Sequence, residues 1–169
     1  MVLDIENHTH TLVNMKLKIV LTLLLSFLLF SCQKDPGKFT ISYSMESSNN
    51  FKELIEIDEG GSYRIEIAQL LFDRMAGTYS PEIREGVVPA NLYKKIKEIV
   101  GKQALYRSKS SYGYEVDNGE FVLYQYIVKS ELGEVMVSVK GLSGVEVPKE
   151  LLELTEYMHE VEKVSREKK

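Results

Sequence analysis

Phe39-Thr40-Ile41-Ser42-Tyr43-Ser44-Met45 alternates apolar and polar side chains without a break. Successive residues of a strand point to opposite faces, so this spacing predicts a β-strand with one face buried and one wet. After the polar Ser47-Ser48-Asn49-Asn50 loop, Leu54 to Asp58 and Tyr63 to Ile67 read as two more strands. Glu59-Gly60-Gly61-Ser62 between them predicts a hairpin, since glycine reaches positive φ at little steric cost. Leu70 to Met75 fits a strand or a helical turn equally well. Further on, Tyr112 to Val116 and Phe121 to Val128 flank Asp117-Asn118-Gly119-Glu120, where Asn-Gly predicts a second hairpin. A turn at Leu132-Gly133 then leads into Val135, Val137 and Val139, which alternate with Met136, Ser138 and Lys140.

The period changes twice. From Pro89, one stripe carries Leu92, Ile96, Ile99 and Val100, while Lys94, Lys95, Lys97 and Glu98 fall largely elsewhere, and Gly101 follows. Proline near the start and glycine past the end mark an amphipathic helix. From Pro148, Leu151, Leu154, Met158 and Val161 define a second helix, expected to fray into Ser165-Arg166-Glu167-Lys168-Lys169. The fold class that follows is α+β: an antiparallel sheet of about six strands with two amphipathic helices packed on one face. Val88-Pro89-Ala90-Asn91-Leu92 and Val147-Pro148-Lys149-Glu150-Leu151 lie 59 residues apart, which admits an internal duplication or simply two proline-started helices.

Ahead of the domain, Ile19 to Phe30 is a twelve-residue apolar run behind Lys16 and Lys18. A helix crossing a bilayer needs about 20 such residues, so the run suits the core of a secretory signal. The fourteen residues before Met15 hold Asp4 and Glu6 but no Lys or Arg, a poor opening for a signal; the expected start is Met15. Leu29-Phe30-Ser31-Cys32 resembles the lipobox of bacterial lipoproteins, and Gln33-Lys34-Asp35 is similar to the charged tag that Bacteroidota surface lipoproteins carry behind their cysteine. The resemblance implies cleavage between Ser31 and Cys32, lipidation of Cys32 (palmitate among its acyl chains), and an outer-membrane, surface-exposed address. The family's cysteine carries several acyl chains, and two or more hold firmly. The expected organisation is residues 1–31 as extension and signal peptide, 32–38 as lipidated tether, and 39–169 as one domain.

Cys32 is the only cysteine, so no disulfide framework supports the domain. From Cys32 onward 19 Lys+Arg face 23 Asp+Glu, an acidic balance that argues against nucleic acid. Catalytic signals are sparse. His159 follows Glu156 by three and precedes Glu160 and Glu162, which is half of a carboxylate di-metal motif without its second half. A charged, solvated helix face explains it, and no metal or cofactor is expected. His8 and His10 lie ahead of the leader. Paired acids suit glycoside chemistry, but no pair stands out among so many, so an envelope hydrolase is only an alternative to a non-catalytic binding or accessory module.

The one local enrichment is tyrosine. Ten occur in the chain, with Tyr106, Tyr112, Tyr114, Tyr124 and Tyr126 close together. If the Asn-Gly hairpin pairs its two strands, Tyr112, Tyr114, Tyr124 and Tyr126 share one face. That face is either cross-strand packing or an exposed aromatic surface for a protein or glycan. The layout is also loosely similar to small secreted protease inhibitors of the emfourin kind, in which a Gly-Gly-Phe segment follows the first strand. Ser48-Asn49-Asn50-Phe51 stands in its place here, and the resemblance implies protease inhibition by that loop.

Overall fold

The computed structural model describes residues 34–48, 51–69, 77, 80–113, 121–141 and 144–167. Seven strands form one sheet: β1 Phe39–Ser47, β2 Phe51–Ile57, β3 Ser62–Gln69, β4 Glu82–Val87, β5 Ser111–Gly113, β6 Val122–Ser130 and β7 Gly133–Lys140. Their spatial order is β4-β3-β2-β1-β6-β7-β5. Every pairing is antiparallel except β5 with β7, which is parallel. Among the described residues three helices accompany the sheet: α1 Ala90–Val100, the four-residue α2 Gln103–Tyr106, and α3 Lys149–Glu167. The α+β class stands, with one more strand and one more short helix than the sequence suggested.

The alternation read from the sequence decides which face is covered. Phe39, Ile41 and Tyr43 of β1, Ile55 and Ile57 of β2, and Tyr63 and Ile65 of β3 are buried on one face. Tyr126 and Val128 of β6 and Val135, Val137 and Val139 of β7 continue that face. Against it pack Leu92, Ile96, Ile99 and Val100 of α1 and Leu151, Leu154, Met158 and Val161 of α3. These are the residues whose 3.6-residue spacing announced the helices. Burying one such aliphatic side chain contributes about 2 kcal/mol, so this layer carries the stability that a disulfide-free chain requires.

The Gly60-Gly61 hairpin forms as expected. Asp58 Oδ1 accepts the N–H of Gly60 (2.9 Å) and of Ser62 (2.8 Å), and Gly61 takes φ +80°. These backbone donors hold the Asp58 carboxyl below the usual range. The prolines start both long helices by offering their carbonyls: Tyr93 N–H donates to Pro89 O at 2.8 Å, and Leu151 N–H to Pro148 O at 3.0 Å.

Four expectations need correction. β4 was missed: Glu82-Ile83-Arg84-Glu85-Gly86-Val87 turns a charge, not an aliphatic residue, toward the covered side. The second hairpin does not pair as drawn, because β5 is three residues long and joins β7 while β6 lies between β7 and β1. The last helix does not fray at Ser165. It runs to Glu167, and Ser165 is buried with its hydroxyl donating to Glu162 O at 2.6 Å. Finally, the two halves differ in topology, an antiparallel run of β1 to β4 against a β6–β7 hairpin with a parallel flank, so the repeated Val-Pro pattern marks helix starts and no duplicated fold. Leu70 to Met75, Asn49-Asn50 and the 117–120 turn lie outside the described residues, as do Ser31 and Cys32.

Candidate binding face

Both helices with an apolar stripe lie on one side, and among the described residues no element forms a layer over the other side of the sheet. The small polar residues Thr40, Ser42 and Ser44 of β1 run down its middle, with Leu54 and Glu56 of β2 on one flank and Gln125 and Ile127 of β6 on the other. The result is a groove of about 700 Å³. Its floor includes Ser42, its flanks Arg64 and Glu85 on one side and Ile127 and Met136 on the other. Large apolar side chains stand exposed on the same face: Met136 at 62 %, Val87 at 59 % and Ile83 at 48 %.

Charge on this face is arranged around one guanidinium. Arg64 Nη2 lies 2.7 Å from Glu66 Oε1 and Nη1 lies 3.3 Å from Glu85 Oε1, while Glu56 sits opposite Arg64 in the β2–β3 register. The Glu66 hydrogen bond, partly offset by desolvation, raises the Arg64 pKa further. Lys129 and Glu134 pair at 3.3 Å across β6 and β7. Three of the four carboxylates lining the groove are thus engaged: Asp58 in the hairpin turn, Glu85 by Arg64, Glu134 by Lys129. Acid–base hydrolysis of a glycoside asks for two carboxyl groups at a set separation across a substrate. This groove is built of ion pairs and apolar side chains instead.

The described tyrosines of the strands take the opposite side. Tyr126 is fully buried, and its hydroxyl meets Thr155 Oγ1 at 2.7 Å. Burial pushes its pKa up to about 12. The Tyr43 ring packs between its neighbours, with centroids 5.5 Å from Tyr126 and 6.4 Å from Tyr124. Tyr112 and Tyr124 both stand opposite Val139, one on each side of β7, so they share a face without being on neighbouring strands. Both are half-buried against the core. Tyr114 lies outside the described residues. Cross-strand packing therefore accounts for the described members of the tyrosine group.

A polar cluster closes the covered layer beside α3. Arg84 Nη1 lies 2.9 Å from Glu162 Oε1, its Nε 2.9 Å from Glu82 Oε1, and Arg166 also pairs with Glu162. Glu53 is buried on the same side, and its pKa is raised first by desolvation and then by Glu162, against the pull of Arg166 and Arg84. His159 Nε2 approaches Tyr43 Oη at 3.4 Å. Sequence reasoning had left Glu162 on a solvated face; its partner Arg84 sits on the strand that was not foreseen. Among the described residues no three His, Cys, Asp or Glu side chains are placed to hold a metal ion, and no helix is long and apolar enough to cross a membrane. Phe51, the aromatic residue of the inhibitor-like loop, opens β2 opposite Gln69 and is half-buried.

No family model, no curated protein and no solved structure matches this chain.

Proposed function

We propose that this chain is a lipid-anchored envelope lipoprotein whose domain is a non-catalytic binding module, and that it takes a protein partner on the uncovered face of its sheet. One observation carries the reading. Exposed Met136, Val87 and Ile83 share that face with Ile127 and with engaged ion pairs. A mixed surface of this kind, with apolar side chains set among arginine and paired charges, suits protein recognition. A glycan would call for an aromatic platform, and the described tyrosines of β5 and β6 turn toward the helices instead. The lipobox-like Leu29-Phe30-Ser31-Cys32 supplies the anchor.

The test places a photo-crosslinking residue at Met136, or at the exposed Glu160 of α3, in the native host. The reading expects a protease-sensitive adduct from position 136 that disappears with Ser42→Arg, which fills the groove floor. An adduct from position 160 alone, one that survives Ser42→Arg, or one removed by glycosidase and not by protease would overturn it.

A further inference from the structure

The segment between anchor and domain is fastened down. Lys34 N–H donates to Gly101 O at 3.2 Å, and Glu131 N–H donates to Pro36 O at 3.2 Å. Pro36 itself is buried. Asp35 pairs with Lys97 at 3.0 Å and accepts the Gly37 N–H at 3.0 Å, which together hold its carboxyl below the usual range. The part of the expected 32–38 tether from residue 34 onward lies against the domain. Two peptide units separate Cys32 from Lys34, so chain connectivity keeps their Cα atoms within about 7.6 Å. On the lipid-anchor reading, acyl chains on Cys32 would hold the surface around Lys34 near the bilayer boundary.

That surface holds a cavity of about 200 Å³ lined by Lys34, Gln103, Tyr106, Arg107 and Leu132. Arg107 Nη2 donates to Gln103 Oε1 at 3.3 Å, and Tyr106 Oη meets Ser130 Oγ at 2.6 Å, so the wall is set by hydrogen bonds. Among the described residues no carboxylate forms an ion pair with Lys34 or Arg107. The nearby acids are already taken: Asp35 by Lys97, and Glu153 by Lys102 and Lys149. Glu131 accepts the Lys38 N–H. Among the described residues, two cations without carboxylate ion-pair partners thus line a small cavity at Lys34, where the described domain begins.

We propose that this cavity seats the phosphate of an anionic phospholipid in the bilayer that holds the anchor, so that the domain lies on the membrane by its α2 end. The inference rests on the lipid-anchor reading. A guanidinium offers a phosphate two parallel donors, and an ammonium adds a point charge. Tyr106 and Leu132 supply the amphipathic and apolar side chains suited to the headgroup boundary. Cations beside an acidic leaflet are attracted to it and released by salt. The anchor makes the encounter intramolecular, which raises the effective headgroup concentration far above that of phosphate in solution.

The experiment uses the mature acylated protein with a fluorophore on Ala104→Cys in α2 or, separately, on Met136→Cys in β7; the acylated Cys32 leaves the introduced thiol as the sole labelling site. Each is reconstituted on vesicles of phosphatidylcholine, alone or with an equal share of phosphatidylglycerol, containing a headgroup spin-label quencher. On the acidic vesicles, quenching at position 104 should exceed that at position 136 about fivefold. Lys34→Glu with Arg107→Glu should reduce it to the position-136 level while the protein still floats with the vesicles. Equal quenching at the two positions, or quenching at 104 that is indifferent to phosphatidylglycerol and to the charge reversal, overturns the proposal. Loss of the excess quenching at 104 on adding inorganic phosphate, at an ionic strength where chloride does nothing, supports a seat for the phosphate group itself. Failure of the unaltered protein to float removes the anchor, and the docking with it, a result distinct from a floating domain without orientation.

Discussion

Glu53 shows how one side chain can work against its own element. It sits on the covered face of β2, opposite Met45 and Ile67, where a carboxylate is out of place. Burial raises its pKa above the ordinary value of 4.5, with Glu162 adding to the rise. The native state therefore holds this proton more tightly than the unfolded chain. Its contribution is fully present below about pH 4.5 and is lost as pH rises through the raised native value. Glu53→Gln should accordingly be more stable than the parent at pH 8, with the difference vanishing below pH 4. Urea unfolding of both proteins at the two pH values checks this, and a constant difference would contradict it. The tyrosine network gives a second prediction. Tyr126→Phe removes the 2.7 Å contact with Thr155 but leaves Thr155 Oγ1 donating to Leu151 O at 2.8 Å. No donor is orphaned, so the loss should be about 1 kcal/mol by denaturant titration. A loss several times larger would mean that the hydroxyl does more than join α3 to the sheet.

Among the elements, legibility tracked how fully each satisfied a single period. β1 alternates cleanly because one of its faces meets helices and the other meets water, and α1 and α3 show their stripes because each buries only one side. β4 hid for the opposite reason. It is an edge strand whose covered-side residues are Glu82, Arg84 and Gly86, with Arg84 reaching across to Glu162 of α3 at 2.9 Å. An inward-pointing charge is also a device that discourages a further strand from adding at a sheet edge. Gly86 belongs to the same design. A Cβ there would lie 2.5 Å from Tyr63 Oη and 2.7 Å from its Cζ, with the backbone at an ordinary φ, so space alone forbids a side chain. Gly86→Ala should push the buried Tyr63 ring or β4 outward and cost about 1–3 kcal/mol, read as a lowered urea midpoint. The partner of β5 escaped recognition differently: Asn-Gly is a local signal, whereas the parallel pairing with β7 joins residues far apart in sequence, and no local pattern encodes it.

At the scale of the whole molecule, sequence patterning determined the layers better than it determined the surfaces. The apolar period named most of the core, because burial constrains every covered position in the same way. The uncovered groove went unread because its residues, among them Ser42, Arg64, Glu85 and Met136, look in sequence like ordinary solvent-facing positions and converge only once six strands stand in order. The tyrosines stayed open to two readings for a related reason, since an aromatic residue suits a core and an interface alike. The proposed anchor rests on a different kind of signal, carried by a short segment and independent of the fold. Cys32→Ser should therefore move the protein from the membrane fraction to the soluble fraction of the envelope. The contacts of Lys34 to Lys38 depend on backbone and side chains that the substitution does not touch. The released domain should consequently keep its thermal midpoint to within about 2 °C, less than the shift a 1 kcal/mol change produces in a domain of this size. A larger fall would mean that the acyl chains, or the membrane under them, contribute to the folding of the domain itself.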